Sequence, residues 1–303
     1  MRVIVTGARG QVGRELLLRA PSGFNVIGYG SGDLDISDRT RVQEVLARTK
    51  PQLLINAAAY TAVDKAESDT ERAYAVNCDG VAHLALAAEA QGIAVLHIST
   101  DYVFDGDSKF AYEPGDATAP AGVYGLSKLA GELRLQQHCS RHLILRTSWV
   151  FGAHGNNFVK TMLRLGRERD ELAVVADQHG CPTSAGSIAE TLWALAVRFQ
   201  HEGTLKWGVY HYSGAPACTW YDFADEIFSQ ARSLGLLEKK PGLKAITTAE
   251  FPTPAKRPGW SVLNCHALEQ DFGLAARSWK AELQQVLQSL GNTPPISKPL
   301  SLP

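Results

Sequence analysis

The chain has 303 residues, 45% hydrophobic and 20% charged, with a net charge of −1. That is enough apolar material for one large domain or two modest ones, and the balanced charge gives no electrostatic case for nucleic acid or membrane partners. No apolar run reaches bilayer length, the N-terminal pattern is not that of a signal peptide, and five widely spaced cysteines with no C-x-x-C pair read as reduced thiols, so a cytoplasmic protein is expected.

In chain order, residues 2–6 (RVIVT) predict a buried strand, 12–20 a helix, 25–28 a second strand and 41–48 a helix. Residues 53–59 (LLINAAA), 94–100 (AVLHIST) and 143–150 (LILRTSWV) predict further buried strands, with a long helical stretch over 70–91 between the first two. Continuous apolar strands alternating with helices imply an α/β fold with a doubly wound, Rossmann-type parallel sheet covered on both faces. After about residue 150 the alternation weakens, and glycine and proline cluster at 180–186, 214–216 and 251–259. The expected division is an NADP(H)-binding domain over 1–150 and a smaller, loop-rich α/β substrate domain over 151–291, with some segments returning to the first. Residues 292–303, with four prolines, are expected to be a flexible tail.

Gly7, Gly10 and Gly13 follow the first strand and open the first helix. There the first glycine permits a tight turn, the second lets a pyrophosphate approach the backbone, and the third allows close helix–strand packing. The spacing is G-x-x-G-x-x-G, and its position between strand and helix carries the dinucleotide reading. The second strand runs into 28–31 (GYGS) with no carboxylate at its tip, while Arg9 in the turn could meet a 2′-phosphate. NADPH is therefore expected, with NADH tolerated.

Tyr124 and Lys128 in VYGLSKLAGE are four apart on a helical stretch and face the same way. A nearby cation is expected to lower the phenol pKa and ready Tyr124 for acid–base work. Thr100, at the end of the strand 94–100, can polarise the same carbonyl oxygen.

These residues resemble the extended short-chain dehydrogenase/reductase family, at its sugar-nucleotide 4-keto reductases. The resemblance rests on GARGQVGREL, LLINAAAYTAVDKAE, HISTDYVFDG, VYGLSKLAGE, LILRTSWVFG, GNNFVKTML, DQHGCPTSA and PTPAKRPGWSVLN, in order through most of the chain. It implies that Gln11 and Val12 supply amides to the pyrophosphate and that Asp35 and Ile36 hold the adenine. It implies that Ala57, Ala58, Ala59 and Tyr60 border the cofactor. Thr100, Tyr124 and Lys128 would form the catalytic group, and Tyr102, Trp149, Asn157 and Arg257 would lie near the sugar nucleotide. The implied reaction is NADPH-dependent reduction of the 4-keto group of dTDP-4-dehydro-β-L-rhamnose to dTDP-L-rhamnose. The resemblance further suggests a homodimer around Mg²⁺ held by Glu15, Glu190 and Glu282, residues that are ordinary exposed helix positions by default.

Two departures, Trp260 in RPGWS and Cys181 in DQHGCPTS, bear on the shape of the substrate pocket. A dehydratase would need a second carboxylate after Asp101, where Tyr102 stands. An epimerase-reductase would need acid–base groups on both faces of the sugar, for which His179 and Cys181 are available. A non-catalytic regulatory subunit, like relatives that partner methionine adenosyltransferase, is disfavoured by the intact Thr100, Tyr124 and Lys128.

Overall fold

The computed structural model describes residues 1–292, so all but the first residue of the expected tail lies outside the described residues. In chain order the first half runs β1 (Arg2–Thr6), α1 (Gln11–Leu18), β2 (Asn25–Tyr29), α2 (Arg39–Thr49), β3 (Leu53–Asn56), α3 (Val63–Ala66), α4 (Thr70–Tyr74), a π turn (Ala75–Asp79), α5 (Gly80–Ala90), β4 (Ala94–Thr100), α6 (Val123–His138) and β5 (His142–Thr147). The second half adds β6 (Val150–Phe151), α7 (Phe158–Glu168), β7 (Glu171–Val175), β8 (His179–Gly180), β9 (Thr183–Ser184), α8 (Ala185–Glu202), β10 (Gly208–His211), β11 (Cys218–Thr219), α9 (Trp220–Ser233), β12 (Gly242–Ile246), α10 (His266–Phe272) and α11 (Trp279–Gly291).

Six strands make one sheet in the order β2-β1-β3-β4-β5-β10, with every neighbouring pair parallel. Alternate side chains of each strand enter opposite cores. Val3, Val5, Leu53 and Ile55 pack with Leu16 of α1 and with Ile188 and Leu192 of α8. Ile4 and Leu54 pack on the other face with Val42 and Leu46 of α2, Leu84 of α5 and Leu135 of α6. Each such fully buried aliphatic side chain contributes about 1.5–3 kcal/mol. Strand order reverses at β1 and β3, so a crevice opens beyond their carboxyl ends, where ligands bind in this architecture.

The second half does not stand apart. α8 packs against α1, and β10 completes the sheet. The remainder builds a separate core from Phe151 of β6, Val159 of α7, Leu172 and Val174 of β7, Phe223, Ile227 and Phe228 of α9, and Trp279 and Leu283 of α11.

Three elements differ from the sequence expectation. The run 53–59 stops as a strand at Asn56, whose side-chain oxygen accepts the Ala58 amide at 3.1 Å and turns the chain out of the sheet. The run 143–150 breaks at Ser148 and Trp149, where Trp149 takes a left-handed φ of 47°. The helix expected over 70–91 contains the π turn. There α6 comes so close that a Cβ on Gly131 would stand 1.9 Å from the Asn77 carbonyl oxygen.

Candidate active site

A cleft of about 790 Å³ lies at the carboxyl ends of β1, β3, β4 and β5 and takes in the glycine turn and the Tyr124–Lys128 helix. Gly7 has φ +67°, and a Cβ there would meet the Ala57 carbonyl oxygen at 2.4 Å. A Cβ on Gly13 would stand 2.1 Å from the Gly7 oxygen, so only glycine lets α1 press against the end of β1. Gly10 is the N-cap of α1 and offers no side-chain cap, which leaves the first amides of the helix open to an anion. Gly13→Ala is expected to weaken NADPH binding at least about tenfold, since a misplacement of about 1 Å carries costs of that order or more. Fluorescence titration checks this, with circular dichroism confirming the fold.

At the nucleotide end, Arg9 lies along Gly30 and pairs with Asp33 at 3.0 Å. The expectation of no carboxylate at the tip of β2 is corrected here. The turn after Gly30 folds back, and Asp33 accepts the Gly30 amide at 3.1 Å. Asp35 and Ile36 line the same end. Burial pulls the Asp35 carboxyl up, but hydrogen bonds from Ser37 and from Arg72 at 2.8 Å outweigh it and hold the group below its usual range. Ala57, Ala58, Ala59 and Tyr60 line the wall. The Tyr60 hydroxyl donates to Asp69 at 3.0 Å.

Thr100, Tyr124 and Lys128 meet in the cleft. Thr100 Oγ1 donates to Asp101 at 3.0 Å and accepts the Tyr102 amide at 3.2 Å. The ring of Tyr102 meets Tyr124 edge-on, with centroids 5.4 Å apart. Burial raises the Tyr124 phenol above its ordinary range, against the opposing hydrogen bond from Thr100. This corrects the expectation that Lys128 lowers it. Lys128 is only 2% exposed, and burial pushes its ammonium down to about 8, which leaves it largely charged at neutral pH but does not offset the burial of the phenol. Tyr124 thus stays protonated across the physiological range, the state a proton donor requires. Asp101, buried beside them, is pushed up to about 6 by burial, with the Thr100 and Ser261 hydroxyls drawing it back. Ser99 Oγ and Thr147 Oγ1 are buried in the cleft wall without hydrogen-bond partners.

The four expected substrate residues divide. Tyr102 and Trp149 line the cleft, and Trp149 stacks on Trp220 with centroids 3.5 Å apart. Arg257 stands at the rim, donating to the Tyr102 hydroxyl at 3.1 Å and to Asp64 at 2.6 Å. The Asn157 amide is committed elsewhere. It caps α7 and donates to Gln11 at 2.9 Å and to the Gly152 carbonyl at 2.8 Å, while Gly155 and Asn156 line the cleft. Cys181 is buried and Trp260 donates to the Phe110 carbonyl at 2.8 Å; neither these nor His179 line the cleft, which leaves the second acid–base pair of an epimerase-reductase without a place.

Glu15, Glu190 and Glu282 do come to one patch, but two arginines stand between them. Arg19 bonds Glu15 at 2.9 Å and Glu190 at 2.8 Å, and Arg277 bonds Glu190 and lies 3.7 Å from Glu282. Among the described residues no group of three or more His, Cys, Asp or Glu could hold a metal. Within one chain these carboxylates pair with arginines, whereas the expected Mg²⁺ is one shared at a subunit contact. The guanidinium groups hold Glu15 and Glu190, while Glu282 Oε2 is buried without a hydrogen-bond partner.

The model of the RmlD substrate binding domain matches residues 1–292. The chain belongs to the RmlD substrate binding domain family. It is 46% identical to a dTDP-4-dehydrorhamnose reductase of Aggregatibacter actinomycetemcomitans, over 94% of this chain and 98% of that one. Its fold is similar to the solved dTDP-4-dehydrorhamnose reductase of Clostridium acetobutylicum, with a TM-score of 0.88, 40% identity, and coverage of 96% and 100% of the two chains. It is similar to that of Bacillus anthracis in complex with NADP, with a TM-score of 0.87, 37% identity, and coverage of 95% and 99%. For this member of the RmlD substrate binding domain family, sequence reasoning missed Asp33, Asp64 and Arg72, which reach the site only through tertiary ion pairs. It also left out Asp101, although its place between Thr100 and Tyr102 was a usable signal.

Proposed function

We propose that the chain reduces the 4-keto group of dTDP-4-dehydro-β-L-rhamnose, giving dTDP-L-rhamnose. The observation that carries this reading is the convergence of Thr100, Tyr124 and Lys128 at the end of β4, in one cleft with the glycine turn. The glycine cradle and the open amides of α1 fit a dinucleotide, and bound NADPH supplies the hydride. Tyr124 gives its proton to the substrate oxygen as charge develops there, Thr100 hydrogen-bonds the same oxygen, and Lys128 holds the cofactor ribose beside them. Tyr102 and Trp149 seat the sugar from the cleft wall, with Arg257 holding Tyr102 from the rim. Tyr102 in place of a carboxylate disfavours a dehydratase.

Residues 1–150 are assigned to the cofactor, and 151–291 mainly to the sugar nucleotide. Half-exposed leucines on two adjacent helices, Leu86 of α5 and Leu126 and Leu133 of α6, support a homodimer. Five free cysteines support a cytoplasmic setting, and no helix among the described residues is long and apolar enough to cross a membrane.

Steady-state turnover of the sugar nucleotide tests the reading. One NADPH consumed per dTDP-L-rhamnose formed is expected; cofactor binding without consumption would reject it. Arg9→Ala is expected to raise the KM for NADPH about tenfold or more, given about 1.5–3 kcal/mol for a hydrogen bond to a charged group, and to leave that for NADH within about twofold. Equal effects on both cofactors would remove Arg9 from the 2′-phosphate.

A further inference from the structure

Lys128 Nζ donates to the Ile98 carbonyl at 2.8 Å and stands 3.5 Å from Nε2 of His97, a fully buried residue of β4. The far side of His97 fixes which of its nitrogens carries the proton. Thr6, Asn56 and His97 are register partners across β1, β3 and β4. One atom of the Asn56 amide accepts both the Thr6 hydroxyl at 2.6 Å and the Ala58 amide at 3.1 Å. A backbone N–H can only donate, so that atom is the oxygen, and the Asn56 amino group faces His97 Nδ1 at 2.9 Å. Nδ1 must therefore accept. Burial, with Lys128 adding to it, holds the imidazole well below its ordinary pKa, so His97 is neutral and its one proton sits on Nε2.

That N–H points at Lys128. Facing an ammonium it is repelled; facing an amine it donates to the lone pair. We propose that His97 is a positioning residue, its Nε2–H favouring the neutral amine of Lys128 and so setting the pH at which Lys128 changes charge. The inference deepens the reductase reading and takes its role in turnover from it. Of the other groups around Lys128, Glu132 opposes this and draws the ammonium back up, with its charge shared with an arginine. Glu132 on the same helix is held by Arg146 of β5 through bonds of 2.7–3.2 Å, Tyr124 is a neutral phenol, and Asp101 lies beyond the end of β4.

The test uses the protein alone, with ¹⁵N-labelled histidine and lysine labelled with ¹³C at Cε, followed by NMR across the pH range. His97 is assigned from His97→Gln, and Lys128 from Lys128→Arg. The expected result is a non-titrating His97 protonated at Nε2, with Lys128 ionising at least about one pH unit below an ordinary lysine. In His97→Gln the side-chain oxygen can take the Asn56 amino group and leave an N–H toward Lys128, so the lysine midpoint should stay within about 0.3 units. Asn56→Asp should move the His97 proton to Nδ1 and raise the Lys128 midpoint by about one unit or more. A proton on Nδ1 of the parent His97, a cationic His97, or a reversed tautomer with an unmoved Lys128 would overturn the proposal. If Asn56→Asp does not fold, the parent tautomer still decides it, since a proton on Nδ1 overturns the proposal. None of these readouts needs the sugar nucleotide, so failure of the substrate assignment would be seen separately, in turnover.

Discussion

Tyr124→Phe is expected to lower kcat at least about a hundredfold while NADPH binding stays within about twofold. The substitution removes one hydroxyl and leaves the ring against Tyr102, so the cleft keeps its shape. What is lost is the proposed proton donor, a hydroxyl that burial keeps protonated. Positioned proton transfer contributes about two to four powers of ten, and a group that acts on the transition state affects kcat rather than cofactor affinity. Single-turnover rates and a cofactor titration of the same variant separate the two. A Phe variant that keeps more than about a tenth of the parent rate would show that another group supplies the proton. Asp101 would be the first to examine, with its carboxyl at about 6.

Arg146→Met is expected to destabilise the fold by about 3–5 kcal/mol, the usual consequence of leaving a buried charge without its partner. Arg146 and Glu132 are 5% and 0% exposed and share bonds from both Nε and Nη2. Arg146 also donates to the Pro114 carbonyl at 3.2 Å and lies over the Phe104 ring. The pair ties α6 to β5 one turn below Lys128, so its loss should also lower activity. A second substitution, Glu132→Leu, removes the orphaned charge and is expected to restore most of the stability. Urea midpoints at constant slope measure both effects. A loss below about 1 kcal/mol in Arg146→Met would mean that water reaches Glu132.

The sheet was legible because its strands are apolar on both faces, and the glycine turn because strand, turn and helix follow one another within the first 18 residues. Tyr124 and Lys128 were legible because helical spacing is local. What escaped depends on where distant segments meet. The line Thr6–Asn56–His97 is a product of parallel register across three strands, and nothing local to any of them announces it. Asp33 reaches Arg9 only because the turn after Gly30 doubles back. The resemblance places Asn157 near the substrate, but the residue it donates to, Gln11, is 146 positions away and is brought there by the fold. The phenol pKa was misjudged for a related reason. The phenol is raised by its own burial, and that burial is a property of the packed helix and not of the local spacing.

The account stands most directly on where the hydride goes. NADPH stereospecifically deuterated at C4 of the nicotinamide, with dTDP-4-dehydro-β-L-rhamnose and the enzyme in a single turnover, should place one deuterium at C4 of dTDP-L-rhamnose for the deuterated face that is used, and none for the other. NMR of the product reads this. Deuterium at any other carbon, or product formed without label from either face, would contradict direct reduction of the 4-keto group in this cleft.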